Sequence, residues 1–439
     1  MCFALPNIDQ FPVIAGMDAD LAHRTHESCQ RSLQRLRLAE KAPMAAWLRE
    51  HLFGHVLSFW EHHAIDERGG ILTCISDSGD VLSTDKWLWS QWRAVWVFSR
   101  IYNQLDRDPK WLRFALQISD FCRRTGWDAT AESWVLLVSR DGKVLRGPDS
   151  LYVDVFAICG LVELHRACGD PELLEIASRT ADAAFKKLAG PRDRIPHFPY
   201  PIPPGAKPHG LAMMWSLAFA ELGAAAQNEN YLTAAEGFSD EIFRDFYRRE
   251  RDLIVERVRE DGGELPAPLG TAVVPGHAIE ALWFQVHVIA LLGRRRERLD
   301  ECFRLVLRHL ELGWDRKGGG GLLLALDADG REPVGWNHAS SKIWWPQTEA
   351  LYAVLLGWEL QQRPVFLDWY DRLWQTCLDH FVDWENGEWR QNLQRDFSPL
   401  AAVVALPVKD PFHLPRSLIL QIELLERNSK DGASAAGRP

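Results

Sequence analysis

Twelve stretches of helical periodicity, paired and repeating at about 60 residues, limit what this chain can fold into more than any other feature. Apolar residues recur at three- and four-residue spacing over 43–64, 86–106, 109–126, 150–168, 171–189, 207–226, 230–247, 276–293, 296–312, 342–361, 364–381 and 411–428. At one end the pairs are joined tightly, through Leu105-Asp-Arg-Asp-Pro109, Cys168-Gly-Asp-Pro171 and Leu292-Gly-Arg-Arg295. At the other end lie longer segments with strand alternation and Asp-Gly or Ser-Gly-Asp reversals, Gly70–Leu82, Ser133–Leu145 and Gly321–Gly330, which read as β-hairpin insertions. No Pro/Ser/Gly-rich linker interrupts the series. Six helix pairs therefore predict one all-α domain over 43–428, closed into an (α/α)6 barrel. Residues 1–42 are expected to be a charged lead-in with a helical piece at Ala22–Ala39, and 429–439 a disordered tail.

The totals exclude some functions. A formal charge of -10 leaves no basic excess for releasing counterions from a nucleic acid. No apolar run reaches the roughly 18 residues of a membrane span. Eight cysteines stand singly, with neither a C-x-x-C pair nor metal-ligand spacing, which suits free thiols in a reducing compartment; a cytoplasmic location is expected. Twenty tryptophans in 439 residues fit a wide helical core with an aromatic-lined cavity.

Polar residues that a structural helix does not need fall in four places. In Lys342–Leu351, Trp345 and Glu349 are i and i+4, so an indole and a carboxylate share one helix face, an arrangement that suits a sugar. Arg93 lies between Trp89 and Trp96 among apolar neighbours and needs an anionic or carbonyl partner. His277 opens a helix after Pro-Gly with Glu280 at i+3, and His413 opens another with Arg416 at i+3. Arg93, Met214, His277, Trp345 and His413 recur at intervals near 60 to 68, with Asp154 at the step between the first two. That phase places them in the early turns of every second helix, at one mouth of the toroid. A metal held by His277 and Glu280 lacks a third ligand in the sequence. Gly318–Gly321 lacks the Gly-Lys-Ser/Thr ending of a phosphate loop and opens no helix.

Four motifs, Arg93-Ala-Val-Trp, Pro275-Gly-His-Ala-Ile-Glu280, Trp344-Trp-Pro-Gln-Thr-Glu-Ala350 and Phe412-His-Leu-Pro-Arg416, together resemble the N-acylglucosamine 2-epimerase family over most of 45–427. That family also includes cellobiose 2-epimerases and mannose-type aldose–ketose isomerases. The resemblance implies an (α/α)6 barrel, a small sugar substrate and no metal or cofactor, with a second copy of the chain as the one protein partner it leaves room for. It implies that His277 and His413 are the acid/base pair at a sugar C2, that Arg93 steadies the charge on the sugar oxygens, and that Glu280 and Glu349 orient the histidines and open the ring. It implies further that Trp344 or Trp345 stacks on the substrate, with Trp89, Met214, His209 and Arg416 as further binding residues. One departure matters. Where the cellobiose and mannose enzymes carry a third histidine, this chain has Met213 and Met214, as the N-acyl hexosamine epimerases tend to; His209 is the residue expected to substitute. Interconversion of N-acylglucosamine and N-acylmannosamine is therefore the expected reaction, with mannose/glucose epimerisation or mannose/fructose isomerisation as the alternative. A glycoside hydrolase using Glu280 and Glu349 would leave both histidines without a task, and a non-catalytic sugar-binding protein is the remaining rival.

Overall fold

The computed structural model describes residues 42–333 and 336–435. Almost all of the expected lead-in, and the helical piece at 22–39, lie outside the described residues. Among those described, the chain forms twelve helices. In order they are α1 (Ala42–Glu50, running through a π-helical stretch His51–Val56 into Leu57–His63), α2 (Leu88–Gln104), α3 (Pro109–Thr125), α4 (Tyr152–Cys168), α5 (Pro171–Leu188) and α6 (His209–Ala226). There follow α7 (Glu229–Glu241), α8 (Pro275–Leu292), α9 (Leu299–Gly313), α10 (Trp344–Gln361), α11 (Pro364–Thr376) and α12 (His413–Ala435). Helical backbone to Ala435 overlaps the tail expected from 429; 436–439 lie outside the described residues.

The even-numbered helices form an inner ring, each packed on the next, with α12 closing onto α2. Each odd-numbered helix covers an inner one from outside, α1 covering α12, so the molecule is an (α/α)6 barrel. The sequence dictates which helix goes where. Outer helices have one apolar stripe: α3 buries Trp111, Ala115, Ile118 and Cys122, spaced by three or four residues. Inner helices are apolar nearly all round, and α8 buries every residue from Ala278 to Val286. At the tight ends, inner helices stop on a left-handed residue, Gly169 (φ 74°), Gln227 (52°), Gly293 (69°) or Gln362 (52°). Asp108 and Asp170 then cap α3 and α5 by accepting from the amides of Lys110 and Glu172, with proline at the first helical position.

At the other end, short ladders tie the approach to each of four inner helices to a loop further along the chain. Lys86–Trp87 pairs with Leu137–Val138, Ala206–Pro208 with Arg257–Arg259, Ala272–Val273 with Leu326–Asp327, and Lys342–Ile343 with Asn392–Leu393, all antiparallel. This corrects one of the three expected hairpins. Ser133–Leu145 does fold back on itself, Leu137–Val138 pairing with Val144–Arg146. Gly70–Leu82 also turns back, Ile75 bridging Val81 and the Leu82 amide donating to the Cys74 carbonyl, but in Gly321–Gly330 the strand Leu326–Asp327 is taken by Ala272–Val273. Two buried lysines anchor the loops that precede these two segments. Lys86 bonds Asp66 at 2.7 Å and the Gly69 carbonyl, while Gln91 clamps both backbone groups of Ile71. Lys342 repeats this with Asp315 and the Gly318 carbonyl, and Gln347 clamps Leu322. Gly319, Gly320 and Gly321 all have positive φ (84°, 98° and 77°), so the glycine run wraps the Lys342 ammonium, a conformation other residues rarely adopt.

Candidate active site

The open end of the inner ring holds a cavity lined by the first turns of α2, α4, α6, α8, α10 and α12. Trp89, Arg93, Met214, His277, Glu280, Trp344, Trp345 and His413 all line it, so the phase inferred from the 60-to-68-residue spacing places these groups correctly. Glu349 and Arg416 lie directly beneath. His209 does not reach the cavity. It is fully buried behind Glu256, because the Ala206–Pro208 ladder turns the helix start inward and the His209 amide donates to the Glu256 carbonyl. Asp154 is also away from the cavity, accepting from Ser133 and the Trp134 amide.

One indole contacts both histidines. The Trp345 ring lies 4.9 Å from His277, near-parallel, and 5.7 Å from His413. Each imidazole is held through Nδ1 by a carboxylate: His413 to Glu349 at 2.8 Å, His277 to both oxygens of Glu256 at 3.2 Å. An ionised carboxylate only accepts, so Nδ1 carries the proton and Nε2 is left as the basic nitrogen of the neutral ring. Burial lowers the His277 pKa, but Glu256 and then Glu280 outweigh it and hold it above its ordinary value. Burial pushes Glu256 up, and His277 pulls it net below the usual carboxylate range.

Glu280, expected to orient His277, turns away from it. One helical turn puts both on the same face, but the Arg416 guanidinium captures the Glu280 carboxylate at 2.5 Å and also holds Glu349 at 2.7 Å. Glu349 is thereby kept ionised: burial raises its pKa, and Arg416 and His413 bring it below the usual value. Glu280, Glu349 and His413 present ligand atoms within 4.8 Å of one another, and Arg416 stands among the two carboxylates where a cation would. Arg93 bonds Asp410 at 2.8 Å and packs over Phe156, 4.1 Å from its centroid. The other Asp410 oxygen caps α12 at the amides of Phe412 and His413. Arg93 Nε and the indole nitrogens of Trp89, Trp336 and Trp344, all on residues that line the cavity, are buried with no hydrogen-bond partner in the protein.

Glu256 and Asp410 were missed in the sequence because neither sits on a helix face with its partner. Glu256 lies in a loop 21 residues before His277, and nothing in spacing reports a contact made by a ladder. Asp410 had a usable signal: Asp-Pro-Phe-His before an apolar run is a capping pattern.

A family model described as N-acylglucosamine 2-epimerase (GlcNAc 2-epimerase) matches residues 69–414. The chain is 30% identical over 375 residues to the N-acylglucosamine 2-epimerase of Bos taurus, covering 84% of this chain and 88% of that one. It is 24% identical over 396 residues to the cellobiose 2-epimerase of Dictyoglomus turgidum, covering 86% and 97%. The solved cellobiose 2-epimerase of Spirochaeta thermophila superposes with a TM-score of 0.75 at 25% identity, over 91% of this chain and 99% of that one. Matched along most of its length by these carbohydrate epimerases, with the four motifs brought to one cavity, the chain belongs to the N-acylglucosamine 2-epimerase family.

Proposed function

We propose that the chain interconverts N-acylglucosamine and N-acylmannosamine by removing the proton at C2 from one face and returning one to the other. The observation that carries this reading is the pair of carboxylate-held histidines, His277 and His413, both against Trp345 in the lining of one cavity. Inversion at C2 needs two bases facing opposite sides of the same carbon, and each ring here has Nε2 as its basic atom. One imidazole takes the C2 proton of the ring-opened sugar, and the electron pair moves onto O1 as a 2-acylamino enolate. The imidazolium across the cavity then gives its proton to the other face of C2. Arg93, steadied by Asp410, stabilises the charge on the sugar oxygens.

Two observations favour an N-acylated substrate. Identity is higher to the N-acylglucosamine enzymes than to the cellobiose enzymes. The cavity wall beyond the bases is apolar, with Met213, Met214, Ile202, Leu324 and Leu406, which suits an acyl methyl better than a second sugar's hydroxyls. The six described cysteines are free, which supports a reducing cytoplasm. Among the described residues no helix is long and apolar enough to cross a membrane. NMR of the products from N-acetylglucosamine, N-acetylmannosamine, glucose, mannose and cellobiose tests the reading. N-Acetylmannosamine formed from N-acetylglucosamine is expected, and fructose formed from mannose, with the N-acetyl sugars untouched, would overturn it.

A further inference from the structure

Trp283 lies one turn below Glu280 on α8, buried and not among the residues that line the cavity. We infer that Trp283 is a positioning residue for His413, acting through Glu349. Its Nε1 donates to Glu349 Oε2 at 2.9 Å, while Glu349 Oε1 accepts from His413 Nδ1 and Arg416. Trp283 and Glu349 are almost wholly buried, at 2% and 1% exposure, so no water competes for that oxygen. The indole also fixes the cation that shares the carboxylate: the Arg416 guanidinium lies 5.1 Å from the Trp283 ring. From below, the indole is wedged edge-on against His287 at 5.1 Å and Tyr352 at 4.9 Å, and the His287–Tyr352 hydrogen bond of 2.7 Å locks that floor. With both oxygens engaged, Glu349 cannot rotate about its carboxylate axis, and the imidazole it holds is aimed rather than merely paired.

The inference rests on the reading of His413 as a proton-transfer residue, and two measurements separate the two. Trp283→Phe removes the donor and keeps a ring against Arg416 and Tyr352. In wild-type protein the hydrogen-bonded Nδ1 proton of His413 is assigned as the downfield imidazole resonance that His413→Asn abolishes. In Trp283→Phe that resonance is expected to shift or broaden, and kcat for epimerisation to fall about tenfold, one hydrogen bond's worth, with KM changed less than about twofold. If Trp283→Phe does not fold, Trp283→Gln, which keeps an N–H donor without the ring, is expected to retain the resonance. An unmoved resonance in Trp283→Phe, a lost one in a folded Trp283→Gln, or equal changes in kcat and KM tracking a fall in Tm would overturn the inference. If the wild type turns over no sugar, the proposed reaction fails, while the resonance still reports on the contact.

Discussion

Two polar layers stand on the same face of the inner helices, two turns apart, and they have opposite characters. The upper layer is Arg93, Phe156, Met214, Glu280, Trp345 and Arg416; seven residues further along each helix, the lower layer is Arg100, Glu163, Glu221, His287, Tyr352 and Glu423. In the lower layer every group is spent on another. Arg100 grips Glu423 with two bonds of 2.7 Å and reaches Glu163 at 3.4 Å; Arg166 bonds Glu163 at 2.8 Å and Glu221 at 2.7 Å; His287 pairs with Tyr352. In and around the upper layer Glu280 and Arg416 are spent on each other and on Glu349, but the groups beside them are only half committed: Arg93 gives one N–H to Asp410 and leaves Nε buried without a protein partner, and His277 and His413 each use one nitrogen. The contrast teaches that burial of charge does not mark a site. A closed set of partners makes a floor, and an incomplete one beside a cavity makes a place for a substrate.

Substitutions can break this comparison, beginning with the largest effect. His277→Asn or His413→Asn is expected to cost on the order of 10³-fold in kcat, with far-UV circular dichroism little changed, because each removes a base and leaves the helices packed. Glu163→Ala in the lower layer should do the reverse. It takes one of two carboxylates from each of Arg100 and Arg166, costs about 2 kcal/mol in urea unfolding and leaves kcat per folded molecule unchanged. A fall in kcat without a loss of stability would erase the distinction.

The pH dependence of stability sharpens it, because the two layers carry opposite signs. Burial, reinforced by Arg100, Arg427 and Arg416, lowers His287 to about 3. Below about 6.5 the unfolded chain therefore takes up a proton that the folded one refuses, and stability falls by about 1.4 kcal/mol per pH unit from this group as the pH drops. His287→Gln should remove that one-proton slope between pH 6.5 and 5 in urea titrations. His277 is raised, so its contribution is present below its unfolded pKa and lost as pH rises through the folded one; His277→Asn should flatten the alkaline side instead. The smallest effect is expected away from both layers. Gln227 ends α6 at φ 52°, and Gln227→Gly should stabilise by about 0.5 kcal/mol in the same titration with no change in kcat.

Much of this was legible in the chain. Helix number and pairing follow from periodicity, and inner helices are recognisable because their apolar residues go all the way round, as in His209–Ala226. His277, His413, Arg93 and Trp345 stood out because polar groups at apolar helix openings have no structural reason to be there. The lower layer was equally periodic, seven residues after each upper position, but Glu163 or Arg100 on a helix reads as a solvated charge until the helix is known to be inner. The Glu256–His277 contact, the inward turn of His209 and the lysine anchors at Lys86 and Lys342 depend on ladders and loop closures between distant segments, which no local pattern encodes.

The central claim is that His277 and His413 work on opposite faces of one C2. Proton NMR in heavy water, starting separately from N-acetylglucosamine and N-acetylmannosamine, tests it with the wild type and with His277→Asn and His413→Asn. The wild type should exchange the C2 proton of both epimers for deuterium, and each variant should retain residual exchange with one epimer only, a different one for each. Epimerisation without deuterium at C2, or the same epimer surviving in both variants, would contradict the account.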